Sequence, residues 1–289
     1  MIERRAPVVS AGITINSWAW TSNSSTPVLL LHGGRDQSRS WDPYVALLQD
    51  EFAFVAADLR GHGDSGWSPE GNYGLADLTA DMAEVLLSVP GPVSIVAHSL
   101  GGNIALRLAA LFPERVKSVA AIECLELPDV RNAAVLSIAD RCRNWFDERK
   151  AYESKVPPLY PDLAAVRSRL SRQYPYLAPA LVEHLAEQSV REVAGGYTWK
   201  FDNRSRSRPP LDSDGRDFDS MLASVQCPVL LFYGDESFVP LPQPSRLALL
   251  RSVELRRYVG AGHWLHHQQL EQFAADTANF LKDRSISFA

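Results

Sequence analysis

The sequence predicts an α/β protein: a mostly parallel sheet covered by helices on both faces, interrupted by an inserted helical cap. Three observations carry this reading. Short apolar runs alternate with helical periodicity over residues 27–122, the period switches from strand to helix at Ser99, and residues 129–220 read as helical before strand character returns at Cys227. Such alternation puts crossover helices on both faces of a parallel sheet and any ligand at the carboxyl ends of its strands. The core is accordingly assigned to residues 1–128 and 221–289, and the cap to residues 129–220.

The elements follow in order. Residues 8–20 read as an antiparallel hairpin at the sheet edge, and residues 28–31 as an apolar strand ending in His32-Gly33-Gly34. A second apolar run, residues 52–57, leads into Asp58-Leu59-Arg60-Gly61-His62-Gly63-Asp64-Ser65, and residues 75–87 carry a helical pattern. Val93, Ile95 and Val96 follow the breakers Pro90, Gly91 and Pro92, as a fully buried strand would. Past Ser99, Leu100, Ile104, Leu108 and Leu111 recur at helical spacing. Residues 116–122 form a strand with Glu123 at its end. The cap shows helical stretches at 130–150, 163–173 and 181–193 and no convincing strand. Residues 229–233 and 255–259 are the last strands, followed by an amphipathic helix over 268–281.

Composition narrows the function class. A length of 289 residues suffices for a large buried core, and 46% hydrophobic with 22% charged residues is ordinary for a soluble globular chain. A net charge of −5 disfavours nucleic acid and anionic membrane surfaces as partners. No apolar run reaches transmembrane length, and the first nine residues lack the apolar stretch of a secretory signal. Cys124, Cys142 and Cys227 have neither paired nor metal-ligand spacing, so reduced thiols in a cytoplasmic protein are expected, with no metal and no cofactor. The partner is expected to be a small-molecule substrate, and the chain a monomer or homodimer. Arg204, Arg206 and Arg208 alternate near Asp212, Asp214, Asp217 and Asp219, which reads as a solvated cap loop.

The chemistry centres on Ser99. A serine hydroxyl attacks a carbonyl only when a base and hydrogen-bond donors flank it, and a strand-to-helix turn presents it to both. Gly101 and Gly102, lacking a β-carbon, let helix and strand approach closely behind it. The run Ala97-His98-Ser99-Leu100-Gly101 resembles the nucleophile elbow G-x-S-x-G of the α/β-hydrolase superfamily, with alanine in place of the first glycine. His32-Gly33-Gly34 is similar to that superfamily's H-G-x loop, and Asp58 to Ser65 to its D-x-R-G-x-G-x-S loop, read here as structural. The resemblance implies an α/β-hydrolase fold, Ser99 as nucleophile, and an oxyanion hole built from the amides of Gly34 and Leu100, each donor worth about 3 to 4 kcal/mol to the tetrahedral intermediate. It also implies a general base on the loop after the last strand, here His263 in Gly260-Ala261-Gly262-His263. Of the other histidines, His184 reads as solvated, His32 and His62 as structural, His98 as packing behind the elbow, and His266 and His267 as the start of the final helix.

The acid of the triad is open between two positions. Most members of the superfamily carry an aspartate in a G-x-x-D pattern after the strand at 229–233, whereas this chain reads Gly234-Asp235-Glu236-Ser237. A minority, including haloalkane dehalogenases and some lactonases, place the acid at the end of the strand after the nucleophile helix, where Glu123 stands. Glu123 is favoured over Asp235, with Glu236 and Glu126 as outsiders, because the role needs only a carboxylate on the far ring nitrogen of the base. Dehalogenases and epoxide hydrolases themselves use an aspartate nucleophile, which Ser99 argues against.

Trp41 and the cap aromatics Trp145, Tyr197 and Trp199 are candidates for an apolar substrate pocket. The function expected is a serine hydrolase cleaving a carboxylic ester or lactone of a small, mostly apolar substrate through an acyl-enzyme. A cofactor-independent C–C hydrolase, lyase or oxygenase, or a receptor-like ligand-binding member of the superfamily, is the alternative.

Overall fold

The computed structural model describes residues 2–22, 27–126, 136–210 and 215–282. Its strands are β1 (Ile2–Arg4), β2 (Val8–Ser10), β3 (Ile13–Ile15), β4 (Ser17–Trp20), β5 (Pro27–Leu31), β6 (Ala53–Ala57), β7 (Val93–His98), β8 (Val116–Ile122), β9 (Val190–Val193), β10 (Gly196–Trp199), β11 (Val229–Gly234) and β12 (Val253–Tyr258). Eight of them form one sheet in the order β1-β4-β6-β5-β7-β8-β11-β12, parallel from β6 to β12 and antiparallel at the β1 and β4 edge.

The central strands are apolar on both faces because both faces are covered. Leu29, Leu31, Ile95, Ala97, Val119, Ala121 and Leu231 point into one core, shared with helices Leu75–Ser88, Leu100–Leu111 and Gly215–Ser224. The alternate residues Val28, Leu30, Val96, Ala120, Ile122, Leu230 and Phe232 fill a second core against helices Asp42–Leu48 and Leu270–Lys282. The period-2 alternation of strand side chains thus sorts one continuous apolar run into two cores. All strand ends that carry the expected chemistry lie at one edge of this sandwich.

The amino-terminal region departs from the expected edge hairpin. β2 and β3 pair only with each other, closed by a tight turn with Ala11 and Gly12 both at positive φ (47° and 77°). Beyond Ile15 the chain leaves that hairpin because Asn16 is captured: its side chain donates to Asp58 (2.9 Å) and its amide to Ser65 (2.9 Å), which steers β4 alongside β6.

Between β8 and β11 the chain carries helices Ile138–Glu153, Leu163–Gln173 and Pro179–Ser189. The third helix, expected to run to residue 193, stops at Ser189, and β9 and β10 form an antiparallel hairpin turned by Gly195 and Gly196 at positive φ. Val166, Leu170, Leu177, Val182, Leu185, Ala186 and Val190 pack into a third apolar cluster of their own. Asp202 ties this region to the rest, accepting from the Tyr73 hydroxyl at 2.6 Å while its amide donates to the Gly61 carbonyl at 2.8 Å. Residues 129–135 and 211–214 of the expected cap, with Asp212 and Asp214, lie outside the described residues. Among the described residues no helix is long and apolar enough to cross a membrane. All three cysteines are free thiols, Cys124 and Cys227 buried.

Candidate active site

Ser99 stands between β7 and helix Leu100–Leu111 with φ 50° and ψ −114°, a conformation that costs a non-glycine residue about 1–3 kcal/mol. Two hydrogen bonds hold it there: its amide donates to the Ile122 carbonyl at 2.7 Å and its carbonyl accepts from the Asn103 amide at 3.1 Å. Close packing of the helix does the rest. A β-carbon at Gly101 would sit 2.6 Å from the carbonyl oxygens of Leu31 and His32, and one at Gly102 would sit 2.6 Å from the Cβ of Cys124.

The amide of Leu100, first in its helix, has no intrahelical acceptor. Gly34 lies beside it: a β-carbon there would be 3.9 Å from Leu100 Cδ2. His32 braces this loop, its Nδ1 donating to the Gly33 carbonyl at 2.7 Å and its Nε2 accepting from the Leu59 amide at 3.0 Å. Gly34, Ser99, Leu100, Glu123 and His263 line one cavity of about 320 Å³. The Asp58 loop reaches this cavity only through His62. Asp58 accepts from the amides of Ser38 (2.7 Å) and Asp64 (3.0 Å), and Arg60 pairs with buried Asp81, consistent with a structural loop.

The carboxylate question has a geometric answer. Glu123, at φ 45° just past β8, places Oε2 2.5 Å from His263 Nδ1. Its Oε1 accepts from the Gly234 amide at 2.9 Å, and Oε2 also accepts from the Ser237 hydroxyl at 2.6 Å. An ionised carboxylate only accepts, so this contact keeps a proton on Nδ1 and leaves Nε2 as the basic nitrogen. Asp235 is excluded from that role: its Oδ1 accepts from the Gly260 amide at 2.7 Å on the exposed side of the loop. Glu126 lines the cavity but pairs with Arg246 at 2.9 Å.

Two supporting residues were invisible as partners in the sequence. Ser237, where an aspartate was expected, serves Glu123. His98 donates from Nε2 to the His263 carbonyl at 2.9 Å, and its ring lies 4.6 Å from the rings of both His263 and His266. Burial drives His98 and His266 well below the ordinary histidine range and so keeps both neutral. No local motif marks such contacts, since their partners are 114 or more positions away in the chain and adjacent only in the fold; the structural signal is the shared sheet end.

The pocket candidates divide. Trp41 is a core residue, 1% exposed and packed on His266 and Phe273, and lines neither cavity of the site. Trp145 borders a separate small hollow, and Tyr197 is taken up by main-chain pairing with Tyr160. Trp199 does line a cavity: a space of about 500 Å³ under helix Leu163–Gln173, together with Tyr160, Leu170, Tyr174 and Phe201. This space shares Gly34, Arg35, Arg206 and Trp264 with the cavity at Ser99. The basic loop is therefore more than solvated: Arg206 and Arg208 line the Ser99 cavity, while Arg204 is held by Asp202 at 2.7 Å.

A model of the Alpha/beta hydrolase family matches residues 28–276, a span that runs from β5 through the elbow and the histidine loop into the final helix. The chain belongs to this family. A serine hydrolase-like protein of Danio rerio is 33% identical to this α/β hydrolase over 198 residues, which are 64% of this chain but 57% of the Danio protein. A 2-(acetamidomethylene)succinate hydrolase of Mesorhizobium japonicum is 30% identical over 291 residues, covering 97% of this α/β hydrolase and 95% of the relative. Among solved structures, a thioesterase domain from the curacin biosynthetic pathway is similar with a TM-score of 0.81 and 26% identity, over 97% of this chain and 99% of the domain.

Proposed function

We propose that this α/β hydrolase cleaves a carboxylic ester or lactone of a small molecule through an acyl-enzyme on Ser99. The observation that carries the reading is the 2.5 Å contact between Glu123 Oε2 and His263 Nδ1 at the wall of the cavity that Ser99 also lines. His263, its tautomer set by Glu123, takes the Ser99 proton as the hydroxyl attacks the carbonyl. The amides of Gly34 and Leu100 receive the negative oxygen, and His263 then protonates the leaving group. Water enters by the same route in reverse, with His263 again as base, and releases the acid.

Residues 136–210 act in this reading as the cap that closes the site and supplies its aromatic wall. Three free thiols accord with a reducing, cytoplasmic setting. The test is covalent and kinetic together. A fluorophosphonate probe should add one label to the wild type and none to Ser99→Ala by intact mass, and p-nitrophenyl butyrate turnover should vanish in the same variant. Labelling or turnover that survives Ser99→Ala overturns the assignment.

A further inference from the structure

The two cavities meet at a pair of arginines. Arg35 follows Gly34 directly, at φ 64°, and Arg206 closes the short 3-10 turn Asn203–Arg206 that Asp202 caps. Both line both cavities, and Arg208 adds a third guanidinium to the one at Ser99. Among the described residues, neither Arg35 nor Arg206 forms an ion pair, whereas neighbouring Arg204 is held by Asp202. The Nε of Arg206 is buried without a hydrogen-bond partner, and its guanidinium faces the rings of Tyr152 and Phe201 at 5.8 and 5.6 Å.

The acids of these cavities are already occupied. Glu123 is bonded to Gly234, Ser237 and His263, and Glu126 to Arg246. Asp36, the acid of the larger cavity, accepts from the Gln37 amide and the Ser40 hydroxyl, and burial pushes its pKa up to about 7. Burial, with the like charges of Arg206 and Arg208, destabilises the charged form of Arg35. Arg35 is exposed and Arg206 half-buried, so the unpartnered Nε of Arg206 beside a second guanidinium is the costly feature, relieved when something negative joins the two.

We infer that Arg35 and Arg206 form an anion subsite beside Gly34 and Leu100, so that the substrate carries an oxyanion, a carboxylate or phosphate, a few bonds from the carbonyl attacked. The inference rests on the hydrolase reading above and replaces the mostly apolar substrate expected from the sequence with a charged one. Guanidinium groups bind planar oxyanions bidentately, and the aromatic faces behind Arg206 keep its plane fixed for that contact. The anion can belong to the acyl part, as in a half-ester of a dicarboxylic acid, or to the leaving part.

Two matched pairs of esters separate these sources: mono-p-nitrophenyl glutarate against p-nitrophenyl valerate, and 4-carboxyphenyl acetate against phenyl acetate. In at least one pair the anionic ester should have the higher kcat/KM. Arg35→Gln and Arg206→Gln should each cut that preference by about 10- to 100-fold through KM, the loss of one charged hydrogen-bonded contact. Arg206→Lys should restore part of it. A binding readout independent of turnover accompanies this: Ser99→Ala should bind glutarate by calorimetry, and Ser99→Ala with Arg206→Gln should not. If no ester turns over but glutarate binds in an Arg206-dependent manner, the hydrolase reading fails and the subsite stands. Equal preference for neutral and anionic esters in both pairs, or glutarate binding indifferent to Arg206, overturns the subsite.

Discussion

Ser237 donates a 2.6 Å hydrogen bond to the same carboxylate oxygen of Glu123 that His263 approaches. At the position where most of the superfamily keeps its acid, this chain thus has a donor to a carboxylate brought from another strand. A serine there can orient Glu123, whereas a second carboxylate beside it would repel.

Exchange of the two candidate acids follows directly. Glu123→Gln should lower kcat by up to about four orders of magnitude, the scale of losing the tautomer-setting carboxylate in serine hydrolases. Asp235→Asn should leave kcat near the wild type, because the Asp235 carboxylate accepts from the Gly260 amide on the exposed side of the loop. Steady-state kinetics on one ester decides the matter, and the opposite ranking would reverse the acid assignment.

Ser237→Ala removes one donor from an ionised carboxylate. The expected cost is about 1.5–3 kcal/mol of orientation, read as a roughly tenfold or larger fall in kcat with KM little changed. An unaltered kcat would mean that the Gly234 amide alone holds Glu123.

Gly101→Ala tests the close approach behind the elbow. Its methyl would press on two backbone carbonyl oxygens at 2.6 Å, and backbone cannot yield as a side-chain end can. Unfolding by urea should show a loss of about 1–3 kcal/mol, with activity lost as the turn shifts.

Acid sensitivity is written into the buried histidines. Burial lowers His32 to about 4 and His62 to about 3, and drives His98 and His266 lower than the ordinary range. The unfolded chain binds these protons at about pH 6.5, so stability is fully present above that value and falls as pH drops from about 6.5 towards 4, each such histidine adding a slope of about 1.4 kcal/mol per pH unit. Urea midpoints between pH 7.5 and 4.5 should trace this decline.

His266 offers a sharper version of the same test. Neither of its ring nitrogens has a hydrogen-bond partner among the described residues, and the ring packs on Trp41 (5.0 Å) and Phe273 (6.0 Å). His266→Phe keeps an aromatic ring in that stack and removes one titrating group. It should flatten the acid slope and leave stability at pH 7.5 equal or higher by on the order of 1 kcal/mol. A steeper acid slope in the variant would show that His266 is not held neutral.

Some of this was legible in the residues and some was not. The strands at β5, β7, β8 and β11 were readable because burial on both faces makes each a continuous apolar run between breakers. The hairpin of β9 and β10 was not, since its short, half-exposed strands follow a helix without a breaker, and only pairing across Gly195 and Gly196 makes them strands. Trp41 reads as a pocket residue because it follows the His32-Gly33-Gly34 loop; the turn Ser38–Trp41 instead rotates it into the core.

The sequence by itself determined where chain direction changes from strand to helix at Ser99, and which loops end the parallel strands. Those are local matters of periodicity and of glycine. Only the tertiary structure decided which carboxylate meets His263, that Ser237 and His98 support the pair, and that Arg35 and Arg206 stand unpaired over the cavity. Each depends on side chains that converge from separate strand ends, and the order of strands in a sheet leaves no trace in the spacing of residues along the chain.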